Sequence, residues 1–151
     1  MMGETIRSTS LMAALILVAT TACAAEKVGV VKTLSGSGNV VRGVATMPLA
    51  VGLVLEAKDR VTTAPASAVG VTLVDDSLIG LGPGSSIVLE SFAFNPTTHA
   101  GGLELRLFRG ALRMITGLIS RQSPETVRVV TPLATIGMRG TDFIVEVPDE
   151  R

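Results

Sequence analysis

The chain has 151 residues, a length that suits one domain with a hydrophobic core. Hydrophobic residues make up 47% of it, yet Trp and Tyr are absent and Phe occurs only four times, so the core must be built from Val, Leu, Ile, Ala and Met. Thirteen Lys and Arg balance thirteen Asp and Glu with no long run of either sign, which excludes both the basic footprint of a nucleic-acid binder and a charged tail.

Leu11 to Ala22 is an apolar run behind a polar stretch that carries Arg7. Its length suits the apolar centre of an export signal and is short for a bilayer span. Glu4 offsets Arg7, and a buried N-terminal helix is the competing reading. Small residues follow. Ala22-Cys23-Ala24 fits a cleavage site before Ala25, while Thr20-Thr21-Ala22-Cys23 looks like a lipobox that would lipidate Cys23. Both readings stay open, and either one removes or caps the single cysteine of a chain bound for an oxidising compartment. The expected division is a signal over 1–24 and one all-β domain over 25–151, exported to the periplasm.

Beyond Ala25 the hydrophobic period is two. The stretch from Val28 to Leu55 is weakly patterned and is expected to supply leading strands. Val69, Val71 and Leu73 alternate with small or polar residues, as do Ile79 with Leu81 and Ile87 with Leu89. Leu103-Glu104-Leu105-Arg106-Leu107 sends leucines to one face and charges to the other. Gly110 to Ser120 fits a strand better than a short helix. Thr126-Val127-Arg128-Val129 and Phe143-Ile144-Val145-Glu146-Val147 close the series. Glycine, proline and serine clusters such as Gly82-Pro83-Gly84-Ser85-Ser86 and Asn95-Pro96 separate the runs at intervals of roughly ten residues. The expected fold is a single domain of short strands, arranged as a sandwich, a roll or a solenoid-like stack.

The side chains that could carry chemistry stand without the company that chemistry needs. His99, the single histidine, lies in a polar turn with no base, nucleophile or metal partner nearby, so a solvated loop histidine is expected. Asp75-Asp76-Ser77 offers too few oxygens for Ca²⁺ and suits a turn. Gly82-Pro83-Gly84-Ser85 has no following Lys and opens no helix, so it is not a phosphate loop. No cofactor and no enzymatic activity are expected. Phe143 falls on the inward side of its alternation, and Phe108 falls on the charged face of its run as a candidate for a contact surface. Arg139, between Gly137 and Gly140, is expected to form a structural ion pair with Asp142 or Asp59, with a ligand site as the alternative.

From Asp59 onward the order of signals resembles the FecR domain family of bacterial envelope proteins. Asp59-Arg60-Val61-Thr62-Thr63 is similar to the family's "gD-x-V-x-T", and Asp75-Asp76-Ser77 to its "D-G-S", with Asp76 standing where the family has Gly. Leu105-Arg106-Leu107-Phe108-Arg109-Gly110-Ala111-Leu112 follows "L-x-L-x-x-G-x-l". The closing block runs Val129-Val130-Thr131-Pro132 with Ala134, then Gly137-Met138-Arg139-Gly140-Thr141-Asp142-Phe143. It resembles "v-x-T-P-x-A-x-x-G-V-R-G-T-x-F". The resemblance implies that Asp59, Thr63, Asp75, Ser77, Gly110, Thr131, Pro132, Gly137, Arg139, Gly140, Thr141 and Phe143 are family positions with structural roles. The family's regulators carry an anti-sigma segment and a membrane helix before this domain. The signal-like start here implies a stand-alone, non-catalytic binding module associated with signalling. Its expected partners are other envelope proteins, engaged through a strand edge, with no nucleic acid, and with a membrane only through a lipid on Cys23. The alternative is an accessory protein supporting a sensor or a surface-assembly complex.

Overall fold

The computed structural model describes residues 25–139 and 141–149. The expected signal, Cys23 and Gly140 lie outside the described residues. The alternating runs all form strands. In chain order these are β1 (Lys27–Ser35), β2 (Gly38–Arg42), β3 (Ala45–Pro48), β4 (Val54–Glu56), β5 (Arg60–Thr63), β6 (Ala68–Leu73), β7 (Leu78–Leu81), β8 (Ser86–Phe94) and β9 (Gly101–Ile115). A short helix α1 (Leu118–Gln122) and a 3-10 turn (Pro124–Thr126) precede β10 (Val127–Val130), β11 (Thr135–Gly137) and β12 (Asp142–Val147).

The strands make one curled sheet in the order β3-β2-β5-β8-β9-β7-β6-β1-β4, with β10, β11 and β12 attached through β9. Strand β9 is the spine. Its first half lies between β8, antiparallel, and β10, parallel, and its second half lies between β7 and β12, both antiparallel. The two halves of the sheet bury one shared core, built of Val31, Leu55, Val61, Leu81, Leu89, Leu105, Leu107, Leu112 and their neighbours. Leu103, Leu105 and Leu107 are buried while Glu104, Arg106 and Phe108 are not, as the period-two pattern requires. Each such leucine contributes about 1.5–3 kcal/mol by leaving water.

The corner of the roll has a specific cause. Between Arg109 and Ala111 the spine passes from one half of the sheet to the other, and Gly110 makes that step at φ 89°. A Cβ there would lie 2.2 Å from Ser85 Oγ and 2.5 Å from its Cα, so the position takes only glycine. The expected strand over 110–120 holds only as far as Ile115, and the short helix that the strand reading set aside for this stretch forms as α1 from Leu118. Pattern reading also missed β5 and β11 as strands.

Candidate functional site

Every buried side-chain nitrogen or oxygen among the described residues has a hydrogen-bond partner. Apart from Ser67, which accepts from Ser37 N at 3.0 Å, the most deeply buried ones fall at three corners. The first holds the turn between β7 and β8. Thr63 Oγ1 donates to Gly82 O at 2.7 Å and accepts from Ser85 N at 2.9 Å. Ser85 Oγ donates to Gly82 O at 2.8 Å and accepts from Ala111 N at 3.1 Å, so one hydroxyl ties the turn to the spine beside Gly110. The second corner lies between β6 and β7. Asp75 accepts from Ser77 N at 3.1 Å and from Ser77 Oγ at 2.8 Å. Ser77 Oγ accepts from Gly117 N at 2.9 Å and Asp75 O accepts from Leu118 N at 2.8 Å, so this turn fixes the start of α1. Gly117 is needed because a Cβ would meet Asp75 O at 2.1 Å. Asp76, in place of the family's Gly, holds the left-handed conformation at φ 65° with its side chain exposed.

The third corner corrects the expected pairing of Arg139. Asp59 is fully buried and is gripped by Arg42, with Nε to Oδ1 at 2.9 Å and Nη2 to Oδ2 at 2.6 Å. Glu56 N adds a bond of 2.8 Å to Asp59, and Glu56 Oε1 accepts from Arg42 Nη1 at 2.7 Å. The bond to Asp59 raises the Arg42 pKa, aided by the charges of Asp59 and Glu56 and opposed by partial burial. Asp142, the other expected partner, is taken by Arg113 at 2.7 Å, and that bond lowers the Asp142 pKa. Arg139 itself is exposed and has no ion pair among the described residues. Arg42 was missed because it lies in the weakly patterned leading stretch, where a single Arg on a short strand gives no signal.

The other family positions are placed as follows. Thr131 Oγ1 accepts from Ala134 N at 3.0 Å and donates to Ala134 O at 2.9 Å, closing the β10–β11 turn. Pro132 lines a groove of about 210 Å³ with Phe108, Leu133 and Val147. Gly137 has open space around it. Thr141 O accepts from Thr116 N at 2.9 Å, and Phe143 packs partly buried against the core. His99 is exposed and stacks on Phe94 with ring centres 6.2 Å apart.

Two surfaces are open to a partner. The outer face of β2, β5, β8, β9 and β10 carries a registered row, Val41, Arg60, Val88, Arg106 and Val130. Phe108 stands in this face, 36% exposed, with the Arg60 guanidinium 4.7 Å above its ring. The second surface is the edge of β12, which pairs with β9 on one side and with no described strand on the other. Ile144 on this edge is 68% exposed, and Leu78 two strands away is 45% exposed.

These features define an all-β module whose turns are pinned by buried polar ties and whose open surfaces suit contact with other molecules. The sequence model of the FecR protein family matches residues 59–151, and the chain belongs to that family. The match begins at the buried Asp59 and covers the Thr63–Ser85 and Asp75–Ser77 corners, while Arg42 and Glu56, which hold Asp59, lie before it. FecR is a non-enzymatic, signalling-related family of the bacterial envelope. No curated protein and no solved structure matches the chain. No helix among the described residues is long and apolar enough to cross a membrane.

Proposed function

We propose that the chain is an exported, non-catalytic module of the envelope that works by holding another envelope protein, and that the free edge of β12 takes an extended segment of that partner. The observation that carries this reading is the edge itself. It is six residues long, unpaired by any described strand, and free of the Lys and Pro that blunt exposed edges. The remaining edges suit strand addition less well, because β4 and β11 have three residues each and β3 ends on Pro48. An added strand gains main-chain hydrogen bonds from the edge and side-chain contact with Ile144. A photo-crosslinking residue placed at 144 should capture one discrete envelope protein in cells, and Ile144→Lys should abolish the association while the fold stays intact. The same crosslinker at Val44, fully exposed in the β2–β3 turn, is the control. Equal capture from both positions, or none from 144, would refute the edge as the contact. Export is tested separately: intact mass from envelope fractions should give a species beginning at Ala25 or at acylated Cys23, and a chain beginning at Met1 would refute it.

A further inference from the structure

Two arginines that no carboxylate neutralises among the described residues line one groove. Arg121 sits in the last turn of α1, and Arg139 lies on the segment that joins β11 to β12. The groove has a volume of about 350 Å³, and Thr116, Ser120, Pro124 and Thr141 complete its lining. Neither arginine has an ion pair among the described residues, and no acid lines the groove. The acid next in sequence to this segment, Asp142, is already held by Arg113. Arg121 at the end of α1 complements the helix dipole, which accounts for one cation but not for a second one lining the same groove. Like charges brought to one groove repel, and they are kept together at a cost unless an anion joins them.

We propose that this groove binds a phosphate-type oxyanion, with the guanidinium groups of Arg121 and Arg139 as the charged donors and the hydroxyls of Ser120 and Thr141 as supporting ones. The guanidinium fork matches phosphate oxygens two at a time, and a hydroxyl can donate to a third. Donors drawn from α1 and from the β11–β12 segment suit a tetrahedral group better than a planar carboxylate. The volume falls at the lower end of the range for small-molecule sites, roughly 300–1,000 Å³, so it holds the phosphate together with part of an attached organic group. The ligand is therefore a phosphate ester, free or in a lipid headgroup. This assignment is independent of the β12 edge, since none of the groove residues lies on that strand.

The test is thermal unfolding of the full chain in inorganic phosphate and in glycerol phosphate, against chloride and acetate at matched pH and ionic strength. Wild type should show a saturable rise in Tm with either phosphate and none with acetate. Arg121→Gln and Arg139→Gln should each weaken the apparent affinity roughly tenfold or more, the expected loss for one charge-assisted contact. Arg106→Gln, on β9 outside the groove lining and paired with Glu90, should leave it unchanged. Both groove side chains are exposed, so the variants should unfold at the wild-type temperature in chloride. If one does not fold, Arg139→Lys, which keeps the charge but loses the fork, should still bind more weakly. Sedimentation with phosphatidylcholine vesicles, with and without phosphatidic acid, separates the sources. Arginine-dependent capture by phosphatidic acid assigns a headgroup, and phosphate binding without capture assigns a soluble ester. No saturable shift, an equal shift in acetate, or the same loss in Arg106→Gln would overturn the proposal.

Discussion

Replacing Arg42 with Ala should destabilise the fold far more than replacing Arg139 with Ala, although Arg139 stands in the family's most recognisable block. The Asp59 carboxylate has no exposed surface and three donors within 2.9 Å, two of them on Arg42. Arg42→Ala leaves a buried charge with only the Glu56 N–H. Stranding one member of a buried pair costs about 3–5 kcal/mol. Arg42 is 31% exposed, so water can occupy part of the space it vacates and the lower end of that range applies. The lost contact to Glu56 adds little, because that pair is partly solvated. A loss of about 3 kcal/mol should lower Tm by roughly 10 °C for a domain of this size. Adding Asp59→Asn to the Arg42→Ala background should recover part of the loss, since the amide carries no charge to strand. Arg139→Ala, which removes an exposed side chain with no ion pair, should change stability by no more than about 0.5 kcal/mol. Urea unfolding of the four proteins at neutral pH provides the comparison, with equal m values required before midpoints are compared. If Arg42→Ala falls within about 1 kcal/mol of wild type, the buried tie is not what holds Asp59. If Arg139→Ala costs as much as Arg42→Ala, the ligand-groove reading of Arg139 yields to a structural one.

Gly110→Ala should cost about 3 kcal/mol in the same assay, because it combines a positive φ with a clash against Ser85 at the corner of the roll. Ala66→Gly should raise stability by up to about 1 kcal/mol, since Ala66 is held at φ 57° with its side chain exposed, and unfolded-chain entropy offsets only part of the relief. Ser85→Ala should destabilise by about 1–3 kcal/mol, as it takes the hydroxyl acceptor from Ala111 N in a buried corner, although Gly82 O keeps its bond from Thr63. The Arg113–Asp142 pair gives a pH signature. Asp142 is held below its ordinary value by Arg113, so its contribution is present above about pH 4 and is lost as pH falls through the lowered pKa. Wild type should therefore lose a small stability advantage over Asp142→Asn below about pH 4, and an advantage that grows on acidification would contradict the assignment.

The period-two runs from Val69 onward show where half of the strands and most of the core lie, because an alternating face is written residue by residue into the chain. Curvature is not written that way. Leu103 to Leu107 and Gly110 to Ile115 read as separate pieces, and only their pairing with β8 on one side of Gly110 and β7 on the other shows that they are one strand turning a corner. Short elements such as β11 and α1 offer too few positions for any period to emerge. The fate of the polar positions was hidden for a different reason. Asp59, Thr63, Asp75, Ser77 and Ser85 find partners from 2 to 44 residues away, and a long-range hydrogen bond leaves no local pattern. Nothing local shows that Asp59 and Asp142 already have guanidinium partners in Arg42 and Arg113, so the sequence leaves both open to Arg139. In this chain the buried polar residues are absorbed by the corners that shape the roll. Among the features left free to meet another molecule are Arg121 and Arg139, which share a groove without an ion pair among the described residues, and the open hydrogen-bonding edge of β12.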